Sequence, residues 1–384
     1  MCLPAELGSS DGPGQIGDKA LVIIDAHAHA FPRFGTDSGD QTAETQLQII
    51  QHHVQFHVQG WRRRRDGSRA EPGLLMPSGD AIVDMPDVNM RIGQYGQLEC
   101  TVAGEEYYLQ WYPCWFRDMT APPELMVTNM DYLGVDKAVL QHDHVYGSLN
   151  EYLSEVMERY PDRYLPLAQI REWEADREEQ LERLEHAVTT LGLKGLYFMV
   201  EAFAFSGFVD NLDDAKFEPL WETVRRLQIP VFWYLYTSHR DRFGGYMEQV
   251  RRLDRWARAH ADIPCVFTHG LETIAIRPRS ERFDIPAEVL TCLKNPNISL
   301  EVMLHLMAPD TAYPFPWAQE IVKLLYDELG PEKLLWGSDM PAAERNVTYR
   351  QSMDYVRLHA DFMSGQDKAL FFGGNAARLF KLDA

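Results

Sequence analysis

Eight short apolar runs, separated by stretches of helical periodicity, constrain this 384-residue chain more than any other feature. They are LVIID (21–25), KAVLQ (137–141), YLPLAQI (164–170), LKGLYFMV (193–200), PVFWYLY (230–236), PCVFTH (264–269), ISLEVML (298–304) and KLLWGSD (333–339). Most are apolar without alternation. Strands read this way when both faces are covered, so the runs predict parallel strands sheathed by helices. The segments LNEYLSEVMERY (149–160), REEQLERLEHAVTTL (177–191) and FEPLWETVRRL (217–227) carry apolar residues at helical spacing. Eight strands alternating with helices predict an α/β chain folded as a distorted (β/α)8 TIM barrel. The competing arrangement is an open doubly wound sheet, and the first strand lacks the GxGxxG that would favour it.

Residues 31–125 break this rhythm. They hold a helical stretch, TAETQLQIIQHHVQFHVQ, then the basic run WRRRRDG (61–67), then a hairpin-like pair, GQLECTV and EEYYLQWYP. A long insertion after the first strand leaves the barrel where catalysis sits and forms a lid over it. Its aromatic run YYLQWYPCWF (107–116) is either the insertion's own small core or the wall of a pocket for a bulky apolar ligand. On the second reading Trp111 and Trp115 touch substrate, together with Trp233 and Tyr236 of the fifth run. The organisation expected is a disordered leader (1–20) and one metal-dependent barrel domain (21–384). A net charge of −20 argues against nucleic acid as a partner, because phosphate binding needs a basic surface. The arginine run is then a solvated turn or a carboxylate clamp. No run approaches the ~20 apolar residues of a membrane span. The five cysteines show no paired spacing and the N-terminus lacks a cationic start. A cytoplasmic protein with no membrane partner is expected.

The chemistry is written at the strand ends. His27 and His29 lie two apart, so in a strand both imidazoles face one side. His269 ends the sixth run and Asp339 the eighth. Alone, the first would be a structural histidine and the second a helix cap. Together, four groups at the ends of strands one, six and eight fit a metal such as Zn²⁺ or Fe²⁺. Glu301 lies mid-strand in ISLEVML, where a buried carboxylate needs a cation, either a Lys or Arg or a metal. His142 and His144 repeat the two-apart spacing at the end of strand two. His53 and His57 lie four apart on the insertion helix and share a face, which either grips a metal or is an exposed amphipathic surface.

IDAHAH, FTHG and WGSDMP, in this order and at these strand positions, resemble the amidohydrolase superfamily. The branch they look like is amidohydrolase-2, which includes aminocarboxymuconate-semialdehyde-type and hydroxybenzoate-type decarboxylases. The resemblance covers about 125–384 plus the first strand. It implies a distorted barrel and ligation by His27, His29, His269 and Asp339, with Asp339 also handling a proton. One departure matters. Such enzymes place a histidine at the end of strand five, and here that position falls near Tyr234, a phenol with a pKa of about 10. Tyr234 therefore joins Asp339 as a catalytic candidate in a site unlike the family's usual one.

Three functions are weighed. The first is a non-haem di-iron monooxygenase of secondary metabolism that hydroxylates a bulky, apolar, terpenoid-like substrate. It would use two iron ions, O2 as co-substrate and an electron donor, with His53, His57, His144 and Glu301 as further ligands. In this the chain resembles an offshoot of the family, the di-iron diterpenoid monooxygenases of platensimycin and platencin biosynthesis. The alternative is a mononuclear Zn or Mn decarboxylase or hydrolase acting on a carboxylate-bearing aromatic or cyclic substrate. In that case Arg171, or one of Arg62, Arg63, Arg64 and Arg65, would hold the carboxylate. The third is a non-catalytic binding protein on a decayed barrel, against which the four strand-end ligands speak. The partners expected are a small-molecule substrate and further copies of the chain.

Overall fold

The computed structural model describes residues 22–55, 60–71, 73–75, 82, 85–235, 245–271, 283–307 and 312–382. The expected leader, His57 and Tyr236 lie outside them. Eight of the described strands are parallel and match the eight apolar runs. They are β1 (Ile24–Ala28), β6 (Lys137–Leu140), β7 (Tyr164–Pro166), β8 (Leu196–Met199), β9 (Val231–Tyr234), β10 (Cys265–Phe267), β11 (Ile298–Val302) and β12 (Leu334–Trp336). They form two sheets, in the orders β1-β6-β7 and β12-β11-β10-β9-β8. Single parallel bridges join the sheet edges at both seams, Ala28 to Met340 and Ala168 to Leu196. Helices follow the strands as the periodicity predicts, at Asn150–Arg159, Glu178–Thr189 and Glu218–Leu227.

Both faces of these strands are buried, which explains their unbroken apolarity. One set of side chains (Ile24, Val139, Leu165, Tyr197, Phe232, Val266 and Leu335 among them) packs into a small inner cluster. The intervening residues pack outward under the helices. The C-terminal helix Asn375–Leu379 closes one end of the inner cluster, with Phe380 stacked on Phe232. Tyr234 packs against the same cluster, one strand residue beyond Trp233.

The pairing of β1 with β6 shifts register between Asp25 and Ala28. Such an irregularity lets neighbouring residues share a face and re-aims a side chain. Here Ala26 joins the inner cluster while the next residue, His27, reaches Glu301 on β11.

Between β1 and β6 the chain builds the helix α1 (Ala43–Val54) and a four-stranded antiparallel sheet. Its strands are β2 (Arg62–Arg63), β3 (Arg91–Ile92), β4 (Gln97–Val102) and β5 (Glu105–Gln110), in the order β2-β5-β4-β3. Leu98, Cys100, Tyr107 and Leu109 face inward. The outer face carries the arginine run, where Arg64 meets Glu99 at 2.8 Å and lies over the Tyr108 ring. No described helix is long and apolar enough to cross a membrane.

Candidate metal centre

Among the described residues, ligand atoms of His27, His29 and Asp339 gather within 4.8 Å of one another, and all three side chains are buried. His29 Nε2 lies 2.8 Å from Asp339 Oδ1 and His27 Nε2 lies 3.8 Å from the same oxygen. Ligand bonds of about 2.0–2.2 Å at tetrahedral angles separate neighbouring ligand atoms by roughly 3.3 Å. The two observed distances bracket that figure. The His269 ring meets His27 edge-on at 4.6 Å, and His142 meets His29 at 5.4 Å.

Two imidazoles beside this group are in the state a metal needs. Burial pushes the imidazoles of His142 and His269 well below the usual histidine range, so both are neutral at physiological pH. A neutral imidazole is the ligating form. Three ring nitrogens, Nδ1 of His29, His142 and His269, are buried without a hydrogen-bond partner. A buried polar atom left unpaired is costly, so these rings mark an unusually polar interior beside the His27, His29 and Asp339 group.

Backbone strain marks the same spot. His269 and Asp339 both sit in the left-handed region, at φ 61° and 59°. For residues other than glycine such conformations persist only where the surroundings enforce them, typically at functional sites. Close packing fixes β1 from the side. A Cβ on Gly337 would lie 2.9 Å from the His27 Cβ. Asp25 locks the loop that carries Asp339, accepting from Ser338 N at 2.9 Å and from Ser338 Oγ at 2.5 Å.

Glu301 was a candidate ligand, yet its carboxylate is already engaged. His27 Nδ1 lies 2.9 Å from Oε2, Thr268 Oγ1 donates at 2.5 Å and His269 N donates at 3.0 Å. Gln141 Nε2 donates to the other oxygen. Burial pushes Glu301 up to about 7 despite these bonds. These four hydrogen bonds are what its buried carboxylate meets. Its part is to hold His27 by one nitrogen and aim the other at Asp339, as a carboxylate behind a ligating histidine does.

A second cluster lies beside the first. Glu201, on the turn Val200–Ser206 after β8, holds His52 Nδ1 and His53 Nδ1 on its two oxygens, each at 2.9 Å. Burial opposes charge on His53, but the Glu201 carboxylate outweighs it and lifts His53 to about 9. Burial likewise opposes charge on Glu201, and the two histidines hold it down to about 2. His53 thus shares this carboxylate with its neighbour His52, and its expected i, i+4 partner His57 lies outside the described residues. His144 pairs with Glu172 at 2.6 Å instead of with His142. Sequence reasoning missed Glu201, His52 and Glu172.

The aromatic candidates divide. Trp111 is buried, stacked on Phe34 at 5.4 Å and 6.2 Å from the His53 ring. Trp115 is 47% exposed and rests on Phe116, away from the cluster. Trp233 is fully buried against Trp221 and Trp256 on the helix side of β9, packed as a core residue. Its neighbour Tyr234 faces the site, 4.2 Å from the His269 ring.

A protein-family model described as amidohydrolase matches residues 24–382. A search of the curated proteins returns no significant match. Among solved structures, the chain is similar in fold to a probable 2-pyrone-4,6-dicarboxylic acid hydrolase from Acinetobacter baumannii, at 17% identity, covering 69% of this chain and 91% of that one, TM-score 0.51. It is also similar to 2,6-dihydroxybenzoate decarboxylase from Rhizobium (15% identity, 69% and 90% covered, TM-score 0.51). A third is an amidohydrolase from Burkholderia multivorans with bound zinc (15% identity, 69% and 90% covered, TM-score 0.50).

Proposed function

The chain belongs to the amidohydrolase family over residues 24–382, and from that premise we propose that it is a divalent-metal enzyme of the decarboxylase or hydrolase kind, acting on a carboxylate-bearing cyclic or aromatic substrate. The observation that carries this reading is the buried convergence of His27, His29 and Asp339. We read the eight parallel strands as a distorted barrel and 31–125 as an insertion roofing its mouth. The structures similar in fold include enzymes named for a pyrone dicarboxylate and a dihydroxybenzoate, each a ring bearing carboxylate.

His27, His29, His269 and Asp339 would hold one zinc or manganese ion. Such an ion supplies Lewis acidity, polarising a substrate oxygen or activating water. The remaining work falls to the chain. Glu301 keeps the His27 ring in one orientation. Asp339, 2.8 Å from His29 Nε2, is placed to take a proton and return it. Tyr234 brings a phenol beside His269 where a further imidazole would be expected.

A second reading, a di-iron monooxygenase with O2 and an electron donor, is favoured by one observation. Glu201, His52 and the part-buried His53 form a second His/carboxylate group, with Asp143 and the His144–Glu172 pair close by. Metal analysis and gas exchange separate the two. One zinc or manganese per chain, with turnover that needs no oxygen, supports the first. Two irons per chain with substrate-coupled O2 uptake overturns it in favour of the second. Under either, His27→Ala and Asp339→Ala lose metal, and full occupancy in both would refute the ligand set.

A further inference from the structure

A carboxylate already sits between two arginines at the edge of a cavity. Arg171 follows β7 and Arg183 lies on the helix Glu178–Thr189. Both reach Asp40 in the insertion. Arg171 Nη2 and Arg183 Nη1 each donate to Oδ2 at 2.7 Å, and Arg183 Nη2 donates to Oδ1 at 3.0 Å. Arg183 also donates to Ser148 Oγ at 2.6 Å, while its Nε is buried without a partner. Arg171 has one other acidic contact, Glu174 at 3.4 Å, and Glu174 is held more closely by Arg177 at 2.6 Å.

These groups line a cavity of about 220 Å³. Its apolar wall is Trp173 stacked on Phe205 at 4.0 Å. His144 meets the edge of Trp173 at 5.3 Å. Phe205 and His144 also border the smaller cavity that contains His52 and Glu201. The arginine-lined cavity therefore adjoins the second His/carboxylate cluster and is not a detached surface dent. An arginine fork matched to two planar oxygens recognises carboxylate geometry. A flat apolar wall beside it suits the body of the same ligand.

We propose that this cavity is a substrate-carboxylate subsite, in which Asp40 occupies the anion's place until an organic carboxylate displaces it. The ligand class is an aromatic or cyclic acid, its carboxylate on Arg171 and Arg183 and its ring along Trp173 and Phe205. The Asp40 turn, whose Ser38 and Gln41 pair across it, belongs to the insertion. Displacement therefore couples ligand entry to the segment over the site. This assignment rests on the proposed carboxylate-bearing substrate.

The test is calorimetric titration of benzoate into protein stripped of metal with a chelator. Metal chemistry and turnover do not enter that measurement, so failure of the metal reading leaves the result intact. Asp40→Asn keeps the shape of the turn and removes the competing charge. It should bind benzoate at least about tenfold more tightly than wild type, since a charged pairing is lost to the competitor alone. Adding Arg171→Gln should abolish the gain, and adding Arg171→Lys, which keeps charge but not the fork, should restore only part of it. The proposal is overturned if Asp40→Asn leaves benzoate affinity unchanged or if the gain survives Arg171→Gln. It is equally overturned if inorganic phosphate binds Asp40→Asn as tightly as benzoate does.

Discussion

Replacing Glu301 by glutamine tests whether this carboxylate holds a metal-binding histidine in position. The substitution keeps volume and changes only donors and acceptors. In the native site four donors converge on the carboxylate: His27 Nδ1, Thr268 Oγ1, His269 N and Gln141 Nε2. A glutamine oxygen in the place of Oε2 keeps three of them, and its amide nitrogen then faces Gln141 Nε2 and leaves that donor unsatisfied, at a cost of about 1–3 kcal/mol. His27 Nδ1 sits on Oε2 with Thr268 and His269, so the amide must either repel the ring or turn toward Gln141. Losing the carboxylate behind a ligating histidine weakens metal binding by roughly 10–100-fold, or about 1.4–2.8 kcal/mol. The assay is zinc competition against a chelator of known affinity, with circular dichroism to establish the fold. It is run at pH 8, above the value of about 7 to which burial raises Glu301. An affinity within twofold of wild type in a folded variant would refute the positioning role.

Three further outcomes follow from single residues. Gly337→Ala places a Cβ 2.9 Å from the His27 Cβ; it should cost about 1–3 kcal/mol by overpacking and lower metal content, and unchanged melting and metal analysis would contradict the close approach. Trp233→Ala should cost about 3–5 kcal/mol in denaturant unfolding, whereas exposed Trp115→Ala should stay within about 0.5 kcal/mol; a change in substrate KM at Trp233 without loss of stability would restore it as a pocket wall. In the metal-free protein, His53 is lifted from 6.5 to about 9, so its stabilisation is full below pH 6.5 and is lost as pH rises through 9. Glu201 is held down from 4.5 to about 2, so its share is full above pH 4.5 and is lost as pH falls through 2. The pair contributes most between pH 4.5 and 6.5, and His53→Gln should flatten the alkaline decline seen in urea unfolding between pH 6.5 and 9.

Strand positions were legible because continuous apolarity has one cause, burial on both faces, and that cause is local. The strand-end residues His27, His29, His269 and Asp339 were legible for the same reason: a polar residue terminating such a run stands out. Face assignment was harder. Phe232 and Tyr234 lie on the inner side of β9, and alternation then sends Trp233 outward among Trp221 and Trp256. That parity was available in the sequence once Tyr234 was placed inside. The second cluster was not available. Helix geometry pairs residues four apart, but a carboxylate has two oxygens and can be gripped by adjacent residues, as Glu201 is by His52 and His53. Its carrier is an irregular turn after β8, which no periodicity announces.

The two strained residues tie fold to chemistry. His269 comes two residues after the three-residue strand β10 and Asp339 three residues after the three-residue strand β12, and both lie in the left-handed region. A relaxed extended backbone at either point would carry the side chain onward along the strand, away from His27. Holding both costs of order 1–3 kcal/mol each, and the surroundings that enforce it are visible. His269 N is tied to Glu301, Asp339 N donates to His27 O at 2.8 Å, and Asp25 clamps Ser338 between them. Every one of these restraints converges on β1 or β11. The chain thus spends stability to bring the Asp339 carboxylate and the His27 and His29 imidazoles together in a buried space. A cation that binds there would tie the carboxylate and the imidazoles together, so metal binding should stabilise the fold, and the loss of either His27 or Asp339 should remove that stabilisation along with the metal.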